Sequence, residues 1–369
     1  MLDVRRLRLL RELARRGTIA AVAEALSFSP SAVSQQLSVL EREAGLPLLE
    51  RTGRRVRLTP VGENLVRHAE AVLERLEQAD AELAGARSGL AGVLRVGAFA
   101  TATRAIVPAA LVALARRHPR LEPMVSETDP AAVGHALRAG DLDLALVHVY
   151  DFVPAPEEPG LATEPLYAEA MYLATPADGA GDGHDDGHGA GDGGGEGADD
   201  EGDGDGDGDG DGDGDGDGDG GGGGARGDAG PASRPQQPAP ATPTATQSAV
   251  LRAVRHRPWI TATTGTMCHA MTVRACQAAA FTPRIRHQVD DFATALALVA
   301  AGQGVSVVPQ LGVSQLGVPQ DAGPAVRLTR LHMQRCTRIA FRRGAGAHPA
   351  VAAFAAALRD AVPPELRPE

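Results

Sequence analysis

Ser31, Ser34 and Gln35 fall close together in one amphipathic stretch, and their chemistry suits the edges of base pairs. Serine and glutamine both donate and accept hydrogen bonds, and a glutamine amide can meet adenine at two points. Further along, Arg51, Arg54, Arg55 and Arg57 crowd a short segment. Guanidinium groups at that density suit phosphates or a minor groove. Elsewhere the chain shows no nucleophile beside a base, no metal-ligand spacing and no phosphate-cradling loop. Nucleic-acid contact is therefore the chemistry on offer. The competing reading is an enzyme or solute-binding protein with an incidental N-terminal helical domain.

The elements that must hold these side chains are legible. Thr18 is placed to cap a short helix with Ile19, Val22, Ala23 and Leu26 on one face. Ser29 caps a second helix, with Pro30 at the position that needs no amide hydrogen. Val33, Leu37 and Leu40 point inward from it, Gly45 ends it, and Ser31, Ser34 and Gln35 stay outside near its start. Strands over 48–51 and 55–59 follow, around a turn at 52–54. A helix pair alone is as readily a packing unit, and an arginine cluster alone a solvated edge. Helix pair, capped turn and arginine-rich hairpin together predict a winged helix-turn-helix over residues 1–60, facing promoter DNA.

Thr59-Pro60 repeats the cap-and-proline start and opens a long helix over 61–88. Leu65, Ala69, Val72, Leu76, Ala79 and Leu83 are spaced four, three, four, three, four along it. That heptad seam predicts a dimerisation helix, since a groove reader gains from a second half-site. Beyond a glycine break, strand and helix patterns alternate as in an α/β fold with a mainly parallel sheet. Residues 92–369 divide into lobe I, about 92–160 and 332–362, and lobe II, about 161–176 and 249–331. Lobes of this kind place a small ligand in the cleft between them.

The net charge of −11 looks wrong for a DNA binder, but residues 178–228 carry 19 acids against one arginine. The remainder of the chain is then +7, and residues 1–60 hold 11 arginines against 6 acids. Local charge agrees with the wing. The tract over 177–248 is an Asp-Gly run followed by a Pro/Ala/Thr stretch, which buries nothing and reads as disordered. It opens like a calcium loop but has Gly214 where the glutamate belongs. It is either a tolerated repeat expansion or an electrostatic competitor for the arginine wing. No signal peptide or membrane-spanning run is apparent, so a cytoplasmic protein is expected. Cys268, Cys276 and Cys336 are expected as buried thiols. Cys268 and Cys276, about 12 Å apart along one helix, are too far apart to bridge.

The chain resembles the LysR-type transcriptional regulators over nearly all its length except that tract. The resemblance rests on Ala23-Glu24-Ala25-Leu26, Ser31-Ala32-Val33-Ser34-Gln35-Gln36, Leu48-Leu49-Glu50-Arg51 and Arg55-Val56-Arg57-Leu58-Thr59-Pro60. More weakly, Ala139-Gly140-Asp141-Leu142-Asp143-Leu144 and Val299-Ala300-Ala301-Gly302-Gln303-Gly304 match the family's effector domain. It implies an α+β multidomain protein: winged helix-turn-helix, dimerising linker helix and a two-lobed domain like periplasmic binding proteins. It also implies homodimers assembling into homotetramers that bend promoter DNA in response to a small polar effector, with no cofactor. By position, Ser31, Ser34 and Gln35 would face bases, and Arg51 and Arg55 the backbone or minor groove. Pro30 and Gln35 depart from the residues common there. The effector would lie by Thr101, Thr103, Thr264, Thr266 and Phe292, where hydroxyls and helix amides favour a carboxylate or other small polar ligand. Simple helix capping is the rival explanation for each threonine.

Overall fold

The computed structural model describes residues 1–52, 55–86, 90–153, 158–177, 245–314 and 325–366. Arg54 and the tract over 178–244 lie outside the described residues, as do the side chains of Arg51 and Arg55.

Three helices open the chain: α1 (Val4–Arg16), α2 (Ile19–Ala25) and α3 (Pro30–Ala44). Each begins on the cap its sequence offers. Asp3 accepts from Arg5 N at 2.8 Å, Thr18 from Ala21 N at 3.2 Å and Ser29 from Ala32 N at 3.2 Å. Gly45 ends α3 in the left-handed region at φ 69°, where a Cβ is penalised. Leu10, Leu13, Val22, Val33, Leu37 and Leu40 join in one core beneath the three helices. Strands β1 (Leu49–Thr52) and β2 (Arg55–Leu58) form the antiparallel wing.

Helix α4 (Pro60–Ala86) leaves the wing through Thr59, whose hydroxyl accepts from Gly62 N at 3.0 Å. The heptad seam does not act as one face. Ala69 is buried and Leu65 packs into the winged-helix core, whereas Val72, Leu76, Ala79 and Leu83 are exposed.

The rest begins with β3 (Ala91–Ala98), α5 (Ala100–Ala105), α6 (Val107–Arg117), β4 (Arg120–Glu127), α7 (Pro130–Ala139) and β5 (Leu144–Tyr150). Then come β6 (Leu161–Pro176), α8 (Ala245–Ala253), β7 (Pro258–Thr261), α9 (Met267–Ala278), β8 (Arg284–Gln288) and α10 (Phe292–Ala300). β9 (Ser306–Pro309), α11 (Gln310–Ser314), β10 (Val326–Arg342) and α12 (Pro349–Ala361) complete it. The main sheet runs β4-β3-β5-β10-β6-β9, and the separate pair β7-β8 is bridged at Trp259 to Val305, the residue before β9.

This sheet is mixed rather than mainly parallel. β3 pairs in parallel with β4 and β5, but β10 is antiparallel to β5 and β6, and β6 to β9. The reason lies in two long strands, β6 and β10, that run through both cores. Leu166 and Ile339 sit in the first core with Val96, Ile106 and Phe354; Leu173 and Leu331 sit in the second with Trp259 and Met271. The lobe boundary expected at 332 therefore falls inside β10, while the one expected at 161 coincides with the start of β6, a strand that itself serves both cores. Helix α8 likewise starts at Ala245, within the segment expected to be disordered. Among the described residues no helix is long and apolar enough to cross a membrane.

Candidate functional site

Ser31 and Gln35 are exposed on the first turns of α3, and Ser34 is half-buried beside them. The opposite face of α3 anchors them through Val33, Leu37 and Leu40. Ser29 and Ser31 hydroxyls lie 3.0 Å apart, so the cap is tied to the first candidate base reader. α1 is clamped on the same helix, Arg6 Nε donating to Gln36 at 2.9 Å and Arg6 Nη1 to Glu43 at 2.5 Å. Glu41 Oε1 accepts from Leu48 N and Leu49 N, both at 3.0 Å, and so fixes where the wing leaves α3. Register places Arg51 opposite Val56 and Arg57 opposite Glu50, and Arg57 is exposed.

A second group of polar side chains gathers where the two α/β cores meet. Arg335 of β10 is 1% exposed and bonds Glu169 of β6 at 2.7 Å through Nη2 and 2.8 Å through Nε. Its Nη2 also donates to Thr101 Oγ1 at 2.8 Å, at the start of α5. Glu169 Oε2 accepts from Leu311 N at 2.8 Å. The guanidinium carbon lies 5.1 Å from the Phe99 ring centre and 5.9 Å from that of Phe292. Burial works to lower the Arg335 pKa, but Glu169 and the neighbouring phenols hold it above the ordinary arginine value.

Next to this pair is a neutral trio. Tyr150 Oη lies 3.2 Å from Cys268 Sγ, which in turn lies 3.7 Å from His148 Nε2. Burial, then the Arg335 charge, pushes the His148 pKa well below its ordinary value, so the ring is neutral. Burial pushes the Tyr150 phenol well up and raises the Cys268 thiol, so both stay protonated. Cys276, deeper in the second core, is pushed up to about 12 by burial alone. Of the three thiols expected to be buried, Cys276 is buried and Cys268 and Cys336 are half-buried. At the rim, Arg104 of α5 faces Asp291 of α10 at 3.7 Å, linking the two cores.

The N-terminal residues 4–63 match the bacterial regulatory helix-turn-helix protein model of the lysR family. Residues 87–184 and 239–363 match the LysR substrate binding domain. The chain belongs to the LysR family. A probable hydrogen peroxide-inducible genes activator of Mycobacterium xenopi is 42% identical over 156 residues, covering 42% of this chain and 80% of that protein. A protein of the same description from Mycobacterium avium is 37% identical over 164 residues, covering 44% of this chain and 51% of that protein. The chain thus spans only about half the length of the latter relative. A full-length OxyR variant from Pseudomonas aeruginosa shares the fold with a TM-score of 0.50 at 22% identity, covering 98% of this chain and 96% of that one.

As a LysR-family member the chain is a DNA-binding transcriptional regulator with an effector-binding domain, not an enzyme. Of the five effector residues expected in this LysR domain, Thr101 and Phe292 are brought together around Arg335. Thr103 has a buried hydroxyl with no partner among the described residues. Thr266 caps α9, accepting from His269 N at 3.2 Å, and the exposed Thr264 hydroxyl accepts from Gln288 Nε2 at 2.9 Å. These two serve local structure. His148, Tyr150, Glu169 and Arg335 were missed by the sequence reading. Their one signal is a titratable residue on an otherwise buried strand, such as His148 within Leu144–Tyr150.

Proposed function

We propose that this LysR-family chain is a homodimeric regulator that reads promoter DNA with α3 and the wing and senses a small uncharged polar effector. Ser31, Ser34 and Gln35 are assigned to base edges, and Arg51, Arg54, Arg55 and Arg57 to backbone or minor groove. The exposed stripe of Val72, Leu76, Ala79 and Leu83 on α4 is assigned to the partner helix, with pairs of dimers forming the homotetramer. The two cores are read as the lobes of a periplasmic-binding-protein-like domain working in the cytoplasm.

The effector class is carried by one observation: the ionic groups between the cores already satisfy each other. Arg335, the buried cation there among the described residues, is committed to Glu169 and Thr101 and so is not available to the carboxylate favoured on sequence grounds. The side chains that contact Cys268 among the described residues, Tyr150 and His148, are neutral donors and acceptors, which suit an uncharged ligand. The description of the mycobacterial relatives makes hydrogen peroxide the first candidate. The test is retardation of the chain's own upstream DNA with and without peroxide, for the wild type and Cys268→Ser. A peroxide-dependent change in the wild type that Cys268→Ser loses supports the reading. Identical retardation in all four cases removes peroxide as the effector, and a response to acetate instead removes the uncharged class.

A further inference from the structure

The turn between α2 and α3 holds an aromatic side chain that the fold leaves outside. Phe28 is 56% exposed, although its backbone is closely fixed. Phe28 N donates to Ala23 O at 2.8 Å and Ser27 N to Glu24 O at 3.4 Å, while Ser27 takes the left-handed conformation at φ 54°. A helix that ends this way commonly packs the residue at the Phe28 position on the one at the Ala23 position. Phe28 also stands one residue ahead of the Ser29 cap of α3, where an apolar side chain often packs on the fourth helical residue, here Val33. Ala23 and Val33 are each 1% exposed and belong to the winged-helix core. Phe28 follows neither of them inward.

Its place is the start of the reading helix. Ser27, Ser29, Pro30 and Ser31 are exposed alongside it, and Ser34 and Gln35 follow on the next turn. The effector domain leaves this end of α3 open in the full chain. Its helix α7 meets the winged helix on α1 instead, where Arg138 approaches Glu12 at 3.9 Å. A phenyl ring offers phosphates and polar base edges no conventional hydrogen bond. In the major groove the apolar group that a base pair presents is the C5-methyl of thymine, and apolar side chains such as phenylalanine contact it. The ring thus reads a feature that the amide and hydroxyls beside it do not.

We propose that Phe28 is a specificity-determining residue of the DNA-reading face, its ring packing on the C5-methyl of a thymine at the edge of the half-site. The proposal rests on the assignment of α3 to base edges and adds to it a position selected by apolar contact. Cytosine at that position presents no methyl and is rejected. The fixed backbone of Ser27 and Phe28 holds the ring in place before DNA arrives, so little freedom is lost on contact.

The experiment is retardation by the full chain of the site footprinted in its own upstream DNA. Each thymine of the site is replaced singly by deoxyuridine, which deletes the methyl and keeps the pairing edge. Wild type is expected to lose about fourfold in affinity at one thymine per half-site, the worth of one buried methyl group. Phe28→Ala should melt as wild type, bind the natural site more weakly and no longer distinguish thymine from deoxyuridine there. Phe28→Leu, which keeps an apolar contact, should retain the distinction. Gln35→Ala should keep it too, because it removes a different reader. The scan on wild type needs no variant and decides the matter even if Phe28→Ala does not fold. A wild type that selects its site yet tolerates every deoxyuridine overturns the role of Phe28 alone, as does a Phe28→Ala variant with undiminished thymine preference. A wild type that prefers no site over unrelated DNA overturns the assignment of α3 as well. Unaltered DNA binding by Phe28→Ala with loss of transcriptional output would move the ring to a protein partner and overturn the proposal.

Discussion

Arg335 and Glu169 lie so deep between the two cores that neither can lose its partner without leaving a buried charge behind. Glu169→Gln keeps the shape and removes the counter-charge, and should destabilise the fold by about 3–5 kcal/mol. A urea midpoint unchanged from wild type would show the pair to be energetically idle. His148 gives a pH test of the same cluster. Its folded pKa is depressed, by burial first and Arg335 second, so the unfolded chain takes up the proton before the native one. Its contribution is complete above about 6.5, the ordinary histidine value, and is lost progressively as the pH falls below it. His148→Phe keeps a ring between Phe99 and Tyr150, 4.8 Å and 5.5 Å from the histidine by ring centres. That variant should flatten the fall in melting temperature on acidification; a parallel fall would assign the pH dependence elsewhere.

At the scale of elements, α4 joins the DNA reader to the sensor, and Gly62 sets its seat. A Cβ at Gly62 would stand 2.2 Å from the Leu48 carbonyl oxygen, so Gly62→Ala must push the wing off the helix. It should cost DNA affinity as well as stability, whereas retention of both would mean that the contact relaxes freely. Leu76→Glu places a charge in the exposed stripe of α4 without touching the monomer core. Sedimentation should then report a shift toward monomer, and an unchanged assembly would move the interface off α4. The caps and periodicities of these helices were legible because Thr18, Ser29, Thr59 and the apolar residues around them act within a few positions. β10 was legible only at its end. Its sequence through Arg327, Arg330, His332 and Arg335 looks polar, yet Leu331, Met333 and Arg335 are buried by elements far away in the chain. The Arg335–Glu169 pair was hidden for the same reason, since 166 residues separate its partners.

For the whole molecule, the winged helix-turn-helix and the two α/β cores could be read from pattern, but not how they share strands or how α1 meets α7. Helix pairing is local chemistry; sheet order is set by non-local packing. What unites the parts is a LysR-family regulator whose output face we assign to α3 with its wing. The direct measurement is retardation of DNA from the chain's own upstream region across a salt series. Wild type should bind specifically, with affinity falling steeply as salt rises. Arg57→Gln should weaken all sequences alike and lower the salt slope by about one, while Gln35→Ala should change which sequence is preferred. No retardation at low salt at any protein concentration would contradict the account, and identical behaviour of the two variants would contradict the division of roles between helix and wing.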